Sequence, residues 1–517
     1  MNCISRLVLP AIIASVSIGL PLGSDATVLT QRNDCAGLRQ NDLRDSLPDI
    51  WTADTMLTSP LLFEKDHTGG EVTQSSTQTG DGTLPWTLDG AQIAQTLPAD
   101  DQWWKEFDDP VLDSLILMGE NGSYNLSIAM HRMELAKLQW DSATAAYFPT
   151  IGLNAGWSRQ RTSGDISPLG EPITTSAFSL GLTFNWEIDI FGRVAAQRKE
   201  GKASYQASQA EYAAAMVSMA ASIARAYSNL RMVQAEIAVA KGQIESQEKI
   251  LAMTETRHEV GLVSKLDVAQ ARGVLYSTQA TLPSLEALQL SAISSLATLT
   301  GRYPAELQAM LMPAMEQPNP FRIVEVGVPL DLLRRRPDIV AAERQLAAYA
   351  AAAGVAKKDF LPVLSLTGSI GTEAHNIKGL FKSRSFTYTI APQLSWTVFD
   401  GLARRYRVAE AKEQLMAGID NYNLTVTTAV NETQNAINTY MASLRNIELT
   451  RKVVDQYRET YDLSVDRYKN GLTPFSDVMT AQINLLQYLN SLVQARATAL
   501  NSLISIYQAV GGAPEKL

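Results

Sequence analysis

The chain has 517 residues, with 44 basic against 53 acidic side chains and a formal net charge of −9. That balance argues against nucleic-acid binding, because a phosphate backbone needs a concentrated basic surface and the sequence has no extended basic run. Beyond the N-terminus there is no apolar span of about 18 residues, so no transmembrane helix is predicted and any membrane crossing uses strands.

Arg6 precedes a largely apolar run over residues 7–22 and then Ser24-Asp25-Ala26, the small-x-small pattern read by signal peptidase. A signal peptide is therefore expected over residues 1–26. Its removal leaves Cys35 as the only thiol, which excludes an intrachain disulfide in the mature chain. Cys35 is a candidate for lipidation, although the polar Gln31-Arg32-Asn33-Asp34 before it departs from the apolar tract of a lipoprotein signal. Residues 27–102 are rich in Ser, Thr, Gly and Asp and read as an extended or disordered segment. Order is expected to begin near Trp103-Trp104, ahead of Pro110 and the amphipathic run 111–117.

A first repeat spans 103–310. After Tyr147-Phe148-Pro149, strands are predicted over about 149–160 and 176–190. In the second of these, Phe178, Leu180, Leu182, Phe184, Trp186, Ile188 and Ile190 alternate with Ser179, Gly181, Thr183, Asn185, Glu187 and Asp189, a period of two without exception. Phe191-Gly192 then leads into a proline-free stretch that predicts a helix over about 192–260, roughly 100 Å long at ~1.5 Å per residue. Residues 201–240 hold 13 alanines and one leucine, a composition suited to close helix packing through small side chains. Gly261 stops this helix. The turn Leu262-Val263-Ser264 follows, and Asp267 falls in the first turn of the returning helix, where the helix dipole favours a carboxylate.

A linker over 311–336 carries Leu332-Leu333-Arg334-Arg335-Arg336 and runs into Pro337-Asp338-Ile339, Ala342-Glu343, Leu346 and Gly354. The second repeat, 337–517, then restates the order of the first. Phe360-Leu361-Pro362 opens strands over about 362–373 and 385–399, where Phe386, Tyr388, Ile390, Leu394, Trp396 and Val398 alternate with polar residues and Pro392 breaks one position. Phe399-Asp400-Gly401 leads into a helix over about 402–470, stopped by Gly471-Leu472 before Asp477. Trp396, Gly471, Asp477 and Gly511 follow Trp186, Gly261, Asp267 and Gly301 at one common offset of 210 residues. A shared offset of this kind marks a duplicated unit.

Alternation alone also fits a half-buried sheet in a soluble protein. The signal sequence, strands of about 10 to 13 residues and aromatic residues at strand ends favour a membrane barrel instead. Four strands are too few to close a barrel, and lipid does not tolerate an open edge, so several chains must share one.

On the linker motif, the Gly261-Leu262-Val263 turn with Asp267-Val268, and the terminal Tyr507-Gln508-Ala509-Val510-Gly511-Gly512, the chain resembles outer-membrane efflux ducts of the TolC superfamily, in their NodT-like branch. The resemblance covers roughly residues 103–514. It implies a mainly α fold with a membrane β-barrel: an internally duplicated chain whose homotrimer closes a twelve-stranded barrel continuous with a long α-helical barrel across the periplasm of a Gram-negative bacterium. It implies a passive exit duct for drugs or other small molecules, with no catalytic chemistry and no cofactor. The partners it implies are a periplasmic adaptor, an inner-membrane transporter of the resistance-nodulation-division (RND) type and outer-membrane lipid. It further implies a periplasmic gate at Asp267, Tyr468 and Asp477, and adaptor contacts at the helix tips through Gly261, Leu262, Gly471 and Leu472. Thr473 and Thr480 depart from the pattern, standing where some members carry an arginine and a second carboxylate. Many members of the branch are lipoproteins, which is the role Cys35 would fill.

Enzyme readings find no support. His67, His131, His258 and His375 are scattered without metal-ligand spacing, and there is no phosphate-cradling loop or nucleophile elbow. Two other readings stay open at this level, one a duct and one of a different class. A conduit for type I protein secretion would share the fold, and a non-conducting coiled-coil scaffold would need no gate. The basic residues after each hairpin, Arg193, Arg198-Lys199, Arg404-Arg405 and Arg407, are candidates for lipid phosphates or the lumen, or are plain helix-surface charges.

Overall fold

The computed structural model describes residues 102–166, 168, 170–321 and 336–512. The expected signal peptide, Cys35, and the Leu332 to Arg335 part of the linker motif lie outside these residues.

The first described element is a 3-10 turn, Trp103–Phe107. Trp103 stacks on Tyr507 with ring centroids 5.0 Å apart, which ties the first described turn to the last helix. Helix α1, Pro110–Gly122, starts at proline after an Asp109 cap whose carboxylate accepts from Val111 and Leu112 at 3.0 and 3.3 Å.

The helices that flank the two hairpins then match in length between the repeats. Helices α2 (Tyr124–Ala145) and α7 (Pro337–Lys358) have 22 residues each. Helices α3 (Arg193–Glu259) and α8 (Ala403–Lys469) have 67 each. The return helix of the second repeat, α9 (Phe475–Val510), has 36 residues. In the first repeat the same length is divided between α4 (Lys265–Gln279) and α5 (Leu282–Thr300). Pro283 causes the division: it has no N–H to continue the ladder and is tolerated only in the first turn of a new helix. A short α6, Pro304–Leu311, follows.

Four antiparallel strands, β1 (Thr150–Thr162), β2 (Ile173–Ile188), β3 (Val363–Ala374) and β4 (Phe386–Ser395), form one sheet in the order β1-β2-β3-β4. The register sorts side chains cleanly by face. Ile151, Phe184, Gly368 and Ile390 are cross-strand neighbours, as are Leu153, Leu182, Ile370 and Tyr388. On the opposite face stand Gly152, Thr183, Ser369 and Thr389, then Asn154, Gly181, Gly371 and Thr387. The apolar face has no cover among the described residues, with Leu153 at 72% and Tyr388 at 69% exposure. A side chain at Gly368 would collide with the Phe184 ring, so glycine there lets the apolar surface close smoothly.

β4 stops at Ser395, four residues short of the sequence expectation, and leaves Trp396 and Val398 beyond the strand. Its partner β3 begins at Val363, opposite Ser395, after Pro362, which has no N–H to donate. Past that point the Thr397 carbonyl is taken by the Arg404 guanidinium rather than by a neighbouring strand. β2 ends two residues early for a related reason. The Asp189 carboxylate turns to cap α3, accepting from Val194 at 3.1 Å and Ala195 at 2.8 Å.

The main core lies where α1, α3, α5, α8 and α9 meet. Leu115, Ile116, Ile223, Leu230, Leu296 and Leu503 are fully buried there beside Tyr227 and Tyr440. Elsewhere α3 buries chiefly alanines, including Ala203, Ala207, Ala210 and Ala213, as the composition of 201–240 predicts.

Candidate functional site

Each hairpin is fastened to its helix by a tryptophan. Trp186 Nε1 donates to the Tyr147 carbonyl at 2.9 Å, and Trp396 Nε1 donates to the Phe360 carbonyl at 3.0 Å. Both bonds tie the end of a hairpin to the turn that opens it. Three of the basic residues beyond the hairpins are neutralised in place. Arg193 meets Glu187 through Nε at 3.0 Å and a terminal nitrogen at 2.5 Å. Arg404 meets Asp400 at 2.8 Å and donates to the Asp359 carbonyl at 3.0 Å, and Arg407 lies 3.6 Å from Asp359. These three arginines serve as junction ion pairs rather than as open cations.

At the opposite end of the long helices the two tips are built alike. Gly261 and Gly471 take φ of 77° and 72°, a left-handed conformation that favours glycine. Leu262 N donates to Arg257 O at 2.8 Å and Leu472 N to Arg467 O at 2.9 Å, closing each last turn as a Schellman cap. Leu262 and Leu472 are left 67% and 69% exposed.

The three expected gate residues differ in their surroundings. Asp267 is half-buried and accepts from Ser264 N at 3.1 Å, while Ser264 Oγ accepts from Asp267 N at 3.3 Å, which completes a capping box. Asp477 is exposed and, among the described residues, has only the Ser476 hydroxyl at 3.4 Å, because Pro474 at the N-cap has no side-chain acceptor to complete a box. Tyr468 is buried in the tip core, edge-on to Phe475 at 5.5 Å, and its hydroxyl has no partner among the described residues. Ile250, Ala271, Val465 and Val478 complete that core. The Thr473 hydroxyl is likewise buried without a partner.

Arg257 is the tip residue that sequence reasoning missed. It donates to the Lys469 carbonyl at 2.5 Å and lies over the Tyr468 ring, 5.2 Å from its centroid, so the first tip grips the second. The available signal was an arginine four residues before each stop glycine, Arg257 before Gly261 and Arg467 before Gly471. The first return helix is braced by Arg272 against Glu255 at 2.6 Å, and the turn by His258 Nδ1 against the Val263 carbonyl at 2.9 Å.

At the waist, the last arginine of the linker motif finds its purpose. Arg336 is buried and bonds Asp338 at 3.0 and 2.7 Å, Glu432 at 2.8 Å and the Ala509 carbonyl at 2.8 Å. It joins the starts of α7, the middle of α8 and the end of α9. It also walls a groove of about 750 Å³ shared with Arg225, whose pKa burial lowers.

Two matches to the sequence pattern of one family, described as outer membrane efflux protein, cover residues 120–302 and 328–512, one for each repeat. The chain is 29% identical over 425 residues to SrpC, a solvent efflux pump outer membrane protein of Pseudomonas putida, covering 82% of this chain and 89% of that one. It is also 29% identical over 421 residues to OpmQ, a pyoverdine export outer membrane protein of Pseudomonas aeruginosa, covering 80% and 87%. Among solved structures, the outer-membrane channel OprN superposes with a TM-score of 0.77 at 29% identity, covering 86% of this chain and 99% of that one. A hairpin with one apolar face, a helix of 67 residues and a glycine-stopped tip occur twice, as the paired matches require, and the chain belongs to the outer membrane efflux protein family.

Proposed function

We propose that three copies of this chain form the passive outer-membrane exit duct of a tripartite efflux pump, carrying small molecules delivered by an inner-membrane RND transporter through a periplasmic adaptor. One observation carries the reading. Among the described residues the sheet has an uncovered apolar face, an opposite face chiefly of Gly, Ser, Thr and Asn, and two unpaired edges in β1 and β4. Such edges are untenable in lipid unless neighbouring copies pair them, and the small polar face then lines a wet lumen. The relatives are named for cargoes as different as solvents and pyoverdine. That spread fits a conduit whose selectivity lies in the pump.

The proposed gate is at the helix tips. Threefold symmetry turns Asp267 and Asp477 into two rings of like charge, which favour cations and repel one another as the axis narrows. Tyr468 acts from beneath, holding α8 against α9 through Phe475. Gly261-Leu262 and Gly471-Leu472 are the proposed adaptor contacts, since both leucines stand exposed at turns that cannot bury them. The proposed division of the chain is a signal peptide over 1–26, an extended segment over 27–102, repeats over 103–310 and 337–517, and a linker over 311–336.

Single-channel recording in a planar bilayer tests the duct and the gate together. The wild type is expected to conduct weakly with cation preference, and Asp267→Ala/Asp477→Ala to conduct more with less preference. Identical traces from the two proteins would move the gate elsewhere. Silence from both would sink the duct.

A further inference from the structure

The apolar face of β1 changes character along its length. Positions on that face run Ile151, Leu153, Ala155 and Trp157, and then Arg159 and Arg161. Both arginines are exposed, and neither forms an ion pair among the described residues. Their cross-strand neighbours, Ser176 and Thr174, offer no charge. At ~3.4 Å per residue, the two guanidiniums stand about 7 and 14 Å beyond Trp157 along the strand, past the aromatic level that marks a membrane surface.

The loop between β3 and β4 adds to the same end of the sheet. It is held by its own bonds: Asn376 accepts from Gly379 N at 2.8 Å, Ser385 donates to the Gly379 carbonyl at 2.7 Å, and Leu380 is buried. His375 sits 3.0 Å from the Ser176 carbonyl and ties the loop back to β2. From this frame Ile377-Lys378 and Phe381-Lys382 project as two exposed apolar-basic pairs, with Phe381 81% exposed, and Arg384 follows. The carboxylates at this end are Asp165 and Glu171 in the β1–β2 connection and Glu373 on the opposite face of β3. Five cations thus outnumber three acids, in a chain that is acidic as a whole. At the other end of the same sheet, Arg193 and Arg404 are each matched by a carboxylate.

β1 and β4 are the sheet's two edges, and the end of β1 and the start of β4 lie at the same end. Closing a barrel therefore brings Arg159 and Arg161 of one copy beside Lys382, Arg384 and Phe386 of the next. We propose that each such seam is a binding site for the phosphate-bearing headgroup of an outer-leaflet lipid. The arginines take the phosphate through their planar forks, the lysines supply further charge, and Trp157 and Phe386 pack against the upper acyl chain.

Native mass spectrometry of the purified trimer, loaded from mixed micelles with diphosphoryl lipid A or with phosphatidylcholine, reads this directly. The wild type is expected to retain the diphosphoryl lipid in preference to phosphatidylcholine. Arg159→Gln/Arg161→Gln is expected to weaken that preference roughly 30-fold, the scale for neutralising two basic groups near an anionic surface. Arg159→Lys/Arg161→Lys, which keeps the charge, is expected to retain most of it. Equal retention by wild type and the glutamine variant, with both still trimeric, would overturn the proposal. So would displacement of the lipid by inorganic phosphate at matched concentration, since that would reveal a simple anion site.

Discussion

The guanidinium of Arg257, in the last turn of α3, donates to the carbonyl of Lys469, in the last turn of α8, across 2.5 Å. One side chain thereby spans the two tips and covers the Tyr468 ring. Because Thr473 supplies no charge at the second tip, Arg257 is the cation that crosses between them. Arg257→Ala is expected to raise open probability in single-channel records, while Arg467→Ala, whose side chain is exposed, leaves it unchanged. Equal effects from both would remove Arg257 from this role.

The paired indoles set a second expectation. Trp186→Phe and Trp396→Phe each keep the ring and lose one N–H donor to a backbone carbonyl. Each is expected to lower stability by about 1 kcal/mol, and the double variant by about twice that, since the anchors sit in separate hairpins. Denaturant titration of the refolded protein measures it. A double variant no less stable than either single one would contradict independent anchors.

Arg336→Lys is expected to be costly despite keeping the charge. Lysine cannot reach Asp338, Glu432 and the Ala509 carbonyl from one planar group. A loss of about 1–3 kcal/mol is expected for the unmade bonds in this buried position. Unfolding followed by tryptophan fluorescence also checks the mechanism, because Trp103 stacks on Tyr507 close to the Ala509 end of α9.

Glu200 gives a prediction in pH. Burial raises its carboxyl pKa above the ordinary value. The folded state therefore favours the neutral acid, and the penalty is absent below the ordinary carboxylate range and sets in as pH rises through the raised value. Glu200→Gln is expected to raise the thermal midpoint near pH 7 and to leave it unchanged near pH 4. The gain is small, because the side chain is only half-buried. A gain equal at both pH values would mean that desolvation of the charge is not the cause.

Periodicity made much of this architecture readable. The alternation at 178–188 and the proline-free helical stretches gave strands and helices close to those observed, because one face of each strand and one side of each helix must be apolar. The end of β4 was less legible, since it depends on Arg404 capturing the Thr397 carbonyl, a contact made across a turn rather than along a pattern. The tips were legible as turns but not as a lock. Glycine spacing announces where a helix stops, whereas the burial of Tyr468 and the reach of Arg257 arise only when two tips separated by 210 residues pack together. Asp267 and Asp477 read alike in sequence, yet Ser264 engages one in a cap and Pro474 leaves the other outside such a box.

The matched lengths of α3 and α8 make the chain its own ruler. An insertion in one long helix would lift one tip above its sister by ~1.5 Å per residue and rotate its face by about 100°. The Arg257 reach to Lys469 would be lost after one or two residues of mismatch. The depth of the tube can therefore change only by equal edits in both halves, preferably near a multiple of seven that restores the facing side chains. The two halves of the duplicated chain are thus held to identical helix lengths.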